Sequence, residues 1–95
     1  MEEITETREF TLLNRYGLHV RPAGLFAKTA SKYESEITVE KDGNVVAGKS
    51  IMALMTLEAV NGAVLKVTAT GPDAAEALDD LEALVARKFD IPDEQ

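Results

Sequence analysis

Apolar and polar positions along this chain repeat with two different periods, and the changes of period mark out the elements. Residues 5–13 alternate, with Arg8, Phe10 and Leu12 on one parity and Glu9 and Thr11 on the other, which predicts a strand. Residues 20–33 switch to helical spacing, and Ala23, Phe26, Ala27, Ala30 and Tyr33 fall on one face. Residues 36–41 set Ile37 and Val39 against Glu36, Thr38 and Glu40, a half-buried strand. Asp42-Gly43 is a strong hairpin signal, so residues 44–47 become the return strand. A short helix is predicted over 51–57, capped by Ser50, and Asn61-Gly62 closes that region. Residues 64–70 alternate again. Gly71-Pro72-Asp73 then opens a last helix. Its buried stripe is Leu78, Leu81, Leu84 and Val85, its first turn takes Asp73 and Glu76, and its last turn takes Arg87 and Lys88. Residues 91–95 read as a frayed tail.

The order is β-α-β-β-α-β-α over a 95-residue chain read as one domain. Four strands and three helices predict an α+β fold: a four-stranded antiparallel sheet with its helices on one face. The polar parity of residues 36–40 leaves the other face open to water.

Charge narrows the function classes. The formal net charge of -7 opposes generic nucleic-acid binding. It is unevenly spread: residues 1–50 carry seven basic and eight acidic side chains, residues 51–95 three and nine. Contact with an acidic partner therefore falls to the first half. With no cysteine there is no disulfide framework and no thiolate chemistry. No apolar run approaches the ~20 residues of a membrane span, and Met1-Glu2-Glu3 opens no signal peptide, so a cytoplasmic monomer with no membrane insertion is expected.

The candidate chemistry sits between the first strand and the first helix. His19, the only histidine, precedes a predicted helix start and stands two residues from Arg21. No cluster of His, Cys or carboxylate ligands surrounds it, so neither a metal nor another cofactor is expected. A covalent role needs only an accessible imidazole nitrogen and a resting place for an anion. The first N–H groups of a helix supply that place. Pro22 suits a first turn, Gly17 permits a tight approach, and Arg21 offers forked donors to phosphoryl oxygens. Taken singly, each has an ordinary reading: a polar cap, a helix starter, a solvated charge.

Gly17-Leu18-His19-Val20-Arg21-Pro22-Ala23 resembles the phosphohistidine signature of the HPr family, phosphocarriers of the bacterial phosphoenolpyruvate-dependent phosphotransferase system. The resemblance extends through Ala30-Ser31-Lys32-Tyr33 and Gly48-Lys49-Ser50-Ile51-Met52 and covers almost the whole chain. It implies an open-faced β-sandwich. It also implies that His19 takes a phosphoryl group on Nδ1 from phosphorylated enzyme I, with Arg21 stabilising the group, and passes it to an enzyme IIA-type domain. The chain would then be a carrier rather than an enzyme. Ser50, an ordinary N-cap by its chemistry, falls in the segment that the family's HPr kinase/phosphorylase modifies.

A docking surface is expected around the site. In the short helix Ala53, Leu54 and Leu57 share one face, with Ile51, Met52 and Met55 nearly opposite, and one sheet cannot cover both. Leu18, Lys28 and Lys49 are expected to join the latter set in partner binding, and Arg21, Lys28 and Lys32 form a basic stripe on the first helix. Three positions depart from the family pattern. Tyr16 replaces a small polar residue, Val20 is bulkier than the frequent alanine or threonine, and Glu58 stands where sugar-system members carry glycine. Glu58 leaves room for a regulatory, nitrogen-type or catabolite-control branch. In that branch the phosphorylation state controls other proteins, such as a transcriptional regulator.

Overall fold

The computed structural model describes residues 3–92. Its elements are β1 (Thr5–Thr11), α1 (Val20–Ala30), β2 (Glu36–Lys41), β3 (Asn44–Ala47), α2 (Ile51–Met55), β4 (Val64–Thr70) and α3 (Ala74–Ala86). The strands form one antiparallel sheet in the order β1-β4-β2-β3, in the β-α-β-β-α-β-α arrangement expected.

Register explains the alternation. Phe10 pairs with Leu65, Val67 lies between Arg8 and Val39, and Ala69 lies opposite Ile37. These residues face the helices, and all but Arg8 are buried. Arg8 keeps the inward parity because its guanidinium reaches α3, donating to Asp79 (2.7 Å) and Glu82 (3.0 Å). The opposite parity places Thr7, Thr68 and Thr38 in one row on the open face, with Thr7 and Thr68 hydroxyls 3.0 Å apart. Asp42 and Gly43 both take positive φ (52° and 85°), the twist that suits a two-residue hairpin. Helix α3 packs on β1 and β4, and α1 packs against α2 and α3. Phe26, Leu54, Leu65, Leu78, Leu81 and Phe89 are almost wholly buried between the layers.

Several boundaries differ from the sequence expectation: β1 ends at Thr11 rather than Leu13, and α2 ends at Met55 rather than Leu57, where the Leu57 N–H turns to Leu54 O (3.2 Å). Helix α1 stops at Ala30 rather than Tyr33, because Lys32 and Tyr33 N–H groups turn to the carbonyls three residues back (3.2 Å each). Lys32 therefore lies beyond the helix that was to carry the basic stripe. Helix α3 stops at Ala86, and a left-handed turn follows. Lys88, Phe89 and Asp90 have φ of 54°, 60° and 56°, while Arg87 is the C-cap and pairs with Asp90 (3.0 Å). That turn swings Phe89 and Ile91 into the core, so Ile91 belongs to the packed body and not to a frayed tail. The rest of the tail, residues 93–95, lies outside the described residues.

Asp73 precedes α3 as its N-cap but does not cap it with its side chain. Its carboxylate instead accepts from the Ser35 hydroxyl (2.5 Å), the Ser35 N–H (2.9 Å) and the Glu34 N–H (2.9 Å). The Ser35 hydroxyl above all, then the Glu34 amide, holds this carboxyl below its ordinary value.

Candidate functional site

The loop from β1 to α1 is shaped by hydrogen bonds and one close approach. Asn14 is fully buried, and its Nδ2 donates to Gly17 O (2.7 Å) while Gly17 N–H returns to Asn14 O (3.3 Å). Asn61 reaches across from the segment before β4, donating to Leu13 O (3.2 Å) and Asn14 O (3.1 Å). Gly17 has φ +69°, and a Cβ there would lie 2.3 Å from Ala59 O and 2.6 Å from Val60 Cα. Only glycine lets the two backbones meet at this distance. The next residue, Leu18, donates its N–H to Ala59 O (2.8 Å).

That framework delivers His19 to the N-cap of α1 in an extended conformation, φ −82° and ψ −171°. The first bond of the helix runs from Ala23 N–H to His19 O (2.9 Å). The N–H groups of Val20 and Arg21 therefore precede the helical ladder, and Pro22 at the third position has no N–H to leave over. The imidazole does not cap these N–H groups. It is half-buried, and the Tyr16 ring meets it edge-on, with centroids 6.0 Å apart and planes at 82°. Arg15 lies over the Tyr16 ring, its guanidinium carbon 5.2 Å from the centroid. Arg21 is exposed in the same first turn.

A shallow cavity of about 230 Å³ opens beside His19. Tyr16, Met55, Glu58 and Val60 contribute to its wall. Helix α2 is thus adjacent to the imidazole, and Ile51 abuts α1 at Gly24, where an added Cβ would stand 3.9 Å from Ile51 Cδ1. Leu54 and Leu57 are buried beneath α2, while Ile51, Met52 and Met55 are exposed, Met52 by 82%. Tyr16, Val20 and Val60 are exposed as well, so the apolar rim is wider than α2 alone.

Not every expected contact residue lies on this rim. Leu18 is 3% exposed and packs in the core, so although it borders the cavity beside His19 it offers a partner almost no surface. Its bond to Ala59 turns the side chain inward while His19 turns outward. Lys28 occupies the last turn of α1, about 13 Å along the axis from His19 at 1.5 Å per residue. Lys49 Nζ donates to Tyr33 O (2.7 Å), beyond that same far end of α1, so its charge is anchored away from the imidazole. Ser50 caps α2, its hydroxyl accepting from Ala53 N–H (3.2 Å).

Sequence reading missed Val60 and Asn61 as parts of the site, since each arrives from more than 40 residues away, and it marked Tyr16 only as a departure from the family pattern. Glu58 did carry a signal, standing at an unusual position for its type. Among the described residues no group of three or more His, Cys, Asp or Glu side chains could hold a metal ion, and no helix is long and apolar enough to cross a membrane.

The arrangement sets the His19 imidazole at the N-terminus of α1, with Arg21 exposed in the first turn and exposed apolar side chains around it, and such a helix start can hold an anion. A family model described as the PTS HPr component phosphorylation site matches residues 6–87. The chain is 49% identical over 69 residues to phosphocarrier protein HPr of Borreliella burgdorferi, an alignment covering 73% of this chain and 80% of that one. HPr of Thermoanaerobacter tengcongensis superposes with a TM-score of 0.82 at 45% identity, covering 96% of this chain and 98% of that one. Crh, the Bacillus subtilis catabolite repression HPr, superposes with a TM-score of 0.68 at 40% identity, covering 86% and 95%.

Proposed function

Since this chain belongs to the HPr family of phosphotransferase-system phosphocarriers, we propose that His19 is its phosphoryl carrier. It accepts the group on Nδ1 from phosphorylated enzyme I and donates it to an enzyme IIA-type domain, in the cytoplasm and as a monomer. The observation that carries this reading is the N-cap position of His19, which leaves the Val20 and Arg21 N–H groups ahead of the helical ladder, with Arg21 exposed in the same first turn. An incoming phosphoryl oxygen meets the positive end of α1, which stabilises the anion without a metal. Arg21 supplies further donors as charge redistributes during transfer. Nothing is turned over by the chain alone, because His19 returns to its starting state only when the acceptor takes the group.

The exposed Ile51, Met52 and Met55, extended by Tyr16, Val20 and Val60, form the surface on which both partners alternate. Unbranched methionine adapts to more than one partner. Incubation with phosphoenolpyruvate and enzyme I tests the assignment. Acid-labile phosphate should appear on the wild type and be absent from His19→Ala, and labelling of that variant at the wild-type level would refute it.

A second reading adds regulation through Ser50. The likeness to Crh, a catabolite repression HPr, favours it. Ser50 is half-buried at the start of α2, beside the docking face. A phosphate there would place negative charge next to Met52 and oppose transfer to His19. HPr kinase/phosphorylase is the modifying partner in this reading, and a transcriptional regulator is a recipient of the phosphorylated form. Ser50→Asp should slow labelling of His19 by enzyme I; an unchanged rate would remove this reading and leave the first intact.

A further inference from the structure

Glu58 is the acidic side chain in the wall of the cavity beside His19. Its backbone has φ +50°, in the left-handed region, where glycine would sit without strain. Its N–H closes the turn after α2 by donating to Met55 O (3.2 Å). The fold thus holds a carboxylate-bearing residue at a conformation that side chains disfavour, next to the reacting imidazole. No ion pair among the described residues neutralises that carboxylate. The nearby cations are Arg15, stacked on Tyr16, and Arg21 in the first turn of α1.

We propose that Glu58 sets the phosphoryl-transfer potential of His19, its negative charge raising the free energy of the phosphorylated state and favouring onward transfer. The inference rests on the carrier reading above. In the loading step the His19 Nδ1 lone pair forms the N–P bond while the donor's bond to phosphorus breaks, its electron pair leaving with the donor. The product carries added negative charge at His19, opposite Glu58. Because Glu58 is exposed, water weakens the repulsion; as a general scale, like charges separated by ~10 Å of water shift an equilibrium by about threefold at low salt.

The test equilibrates the full chain with phosphoenolpyruvate, pyruvate and a catalytic amount of enzyme I, and reads the ratio of phosphorylated to free protein. Glu58→Gln and Glu58→Gly should both raise that ratio about threefold, Glu58→Lys should raise it further, and Glu58→Asp should keep the wild-type value. In 1 M NaCl, where the Debye length falls to about 3 Å, the differences should collapse. An unchanged ratio in Glu58→Gln, with wild type labelled on His19, overturns the inference alone. A rise in Glu58→Gly but not Glu58→Gln also overturns it, by assigning the effect to backbone strain. Absence of acid-labile phosphate on the wild type overturns the carrier reading instead.

Discussion

Replacing Gly17 by alanine tests whether the site is built by a close approach of two backbones. Two costs are separable. Any L-residue at φ +69° meets the left-handed penalty of about 1 kcal/mol. The added Cβ would also lie 2.3 Å from Ala59 O and 2.6 Å from Val60 Cα, both backbone atoms that no rotamer change can remove. Forcing them apart is an overpacking cost of about 2 kcal/mol. The sum of about 3 kcal/mol should lower the melting temperature by about 15 °C in a domain of this size. Gly43 supplies the control, since it has φ +85° and nothing within 4 Å of its Cβ position. Gly43→Ala should lose only the conformational part, about 5 °C. Thermal unfolding followed by circular dichroism measures both. Equal losses at the two positions would refute the close-approach argument. Because Ala59 and Val60 line the His19 cavity, Gly17→Ala should also slow phosphoryl transfer at temperatures where it remains folded, and Gly43→Ala should not.

Leu18→Ala should cost about 3 kcal/mol by chemical denaturation, as expected of a core leucine, and a loss under 1 kcal/mol would return Leu18 to the surface. Met52→Asp should leave stability within about 0.5 kcal/mol of wild type yet weaken transfer from enzyme I about tenfold in KM; unchanged transfer would dismiss α2 as the docking face. Asp73, whose carboxyl is held below its ordinary value of 3.8 by Ser35 and Glu34, contributes stability that is present above that value and lost as pH falls through its lowered folded value. Melting temperature should therefore fall more steeply below pH 3.8 in the wild type than in Asp73→Asn, and parallel curves would count against the Ser35–Asp73 contact as the cause.

Much of the fold was legible because side-chain direction follows backbone period. The alternation around Ile37 and Val39 had one solution once half of each strand was buried, and Asp42-Gly43 fixed its hairpin. Even Arg8 was legible in parity, although only α3 reveals why a charge belongs on the inner row. The turn at 88–90 was hidden because no glycine marks it: three side chains hold left-handed φ, and the burial of Phe89 and Ile91 is what compensates. Such a compensation is tertiary, and no local propensity carries it. The end of α1 was overrun for a related reason. Tyr33 keeps helical phase by position, but its hydroxyl is drawn to Asp80 on α3 (2.6 Å) after the helix has ended.

The site shows the same division more sharply. His19, Arg21 and Pro22 are neighbours in sequence, so a local reading could assemble them. Leu18 is turned into the core, because adjacency to His19 says nothing about which way a side chain leaves a tight turn. Its direction is fixed by a bond to Ala59, some 40 residues on. On the carrier reading proposed above, His19 meets two partners in turn, so it has to stay open to solvent and cannot draw its rigidity from its own burial. Here rigidity comes from below: buried Asn14, the two hydrogen bonds from Asn61 and the contact at Gly17 hold the loop. Substitutions should therefore sort by burial, not by distance in sequence from His19. Changes at His19 should remove transfer and changes at Met52 should weaken it while the fold persists, whereas changes at Gly17 or Leu18 should weaken the fold and disturb transfer with it.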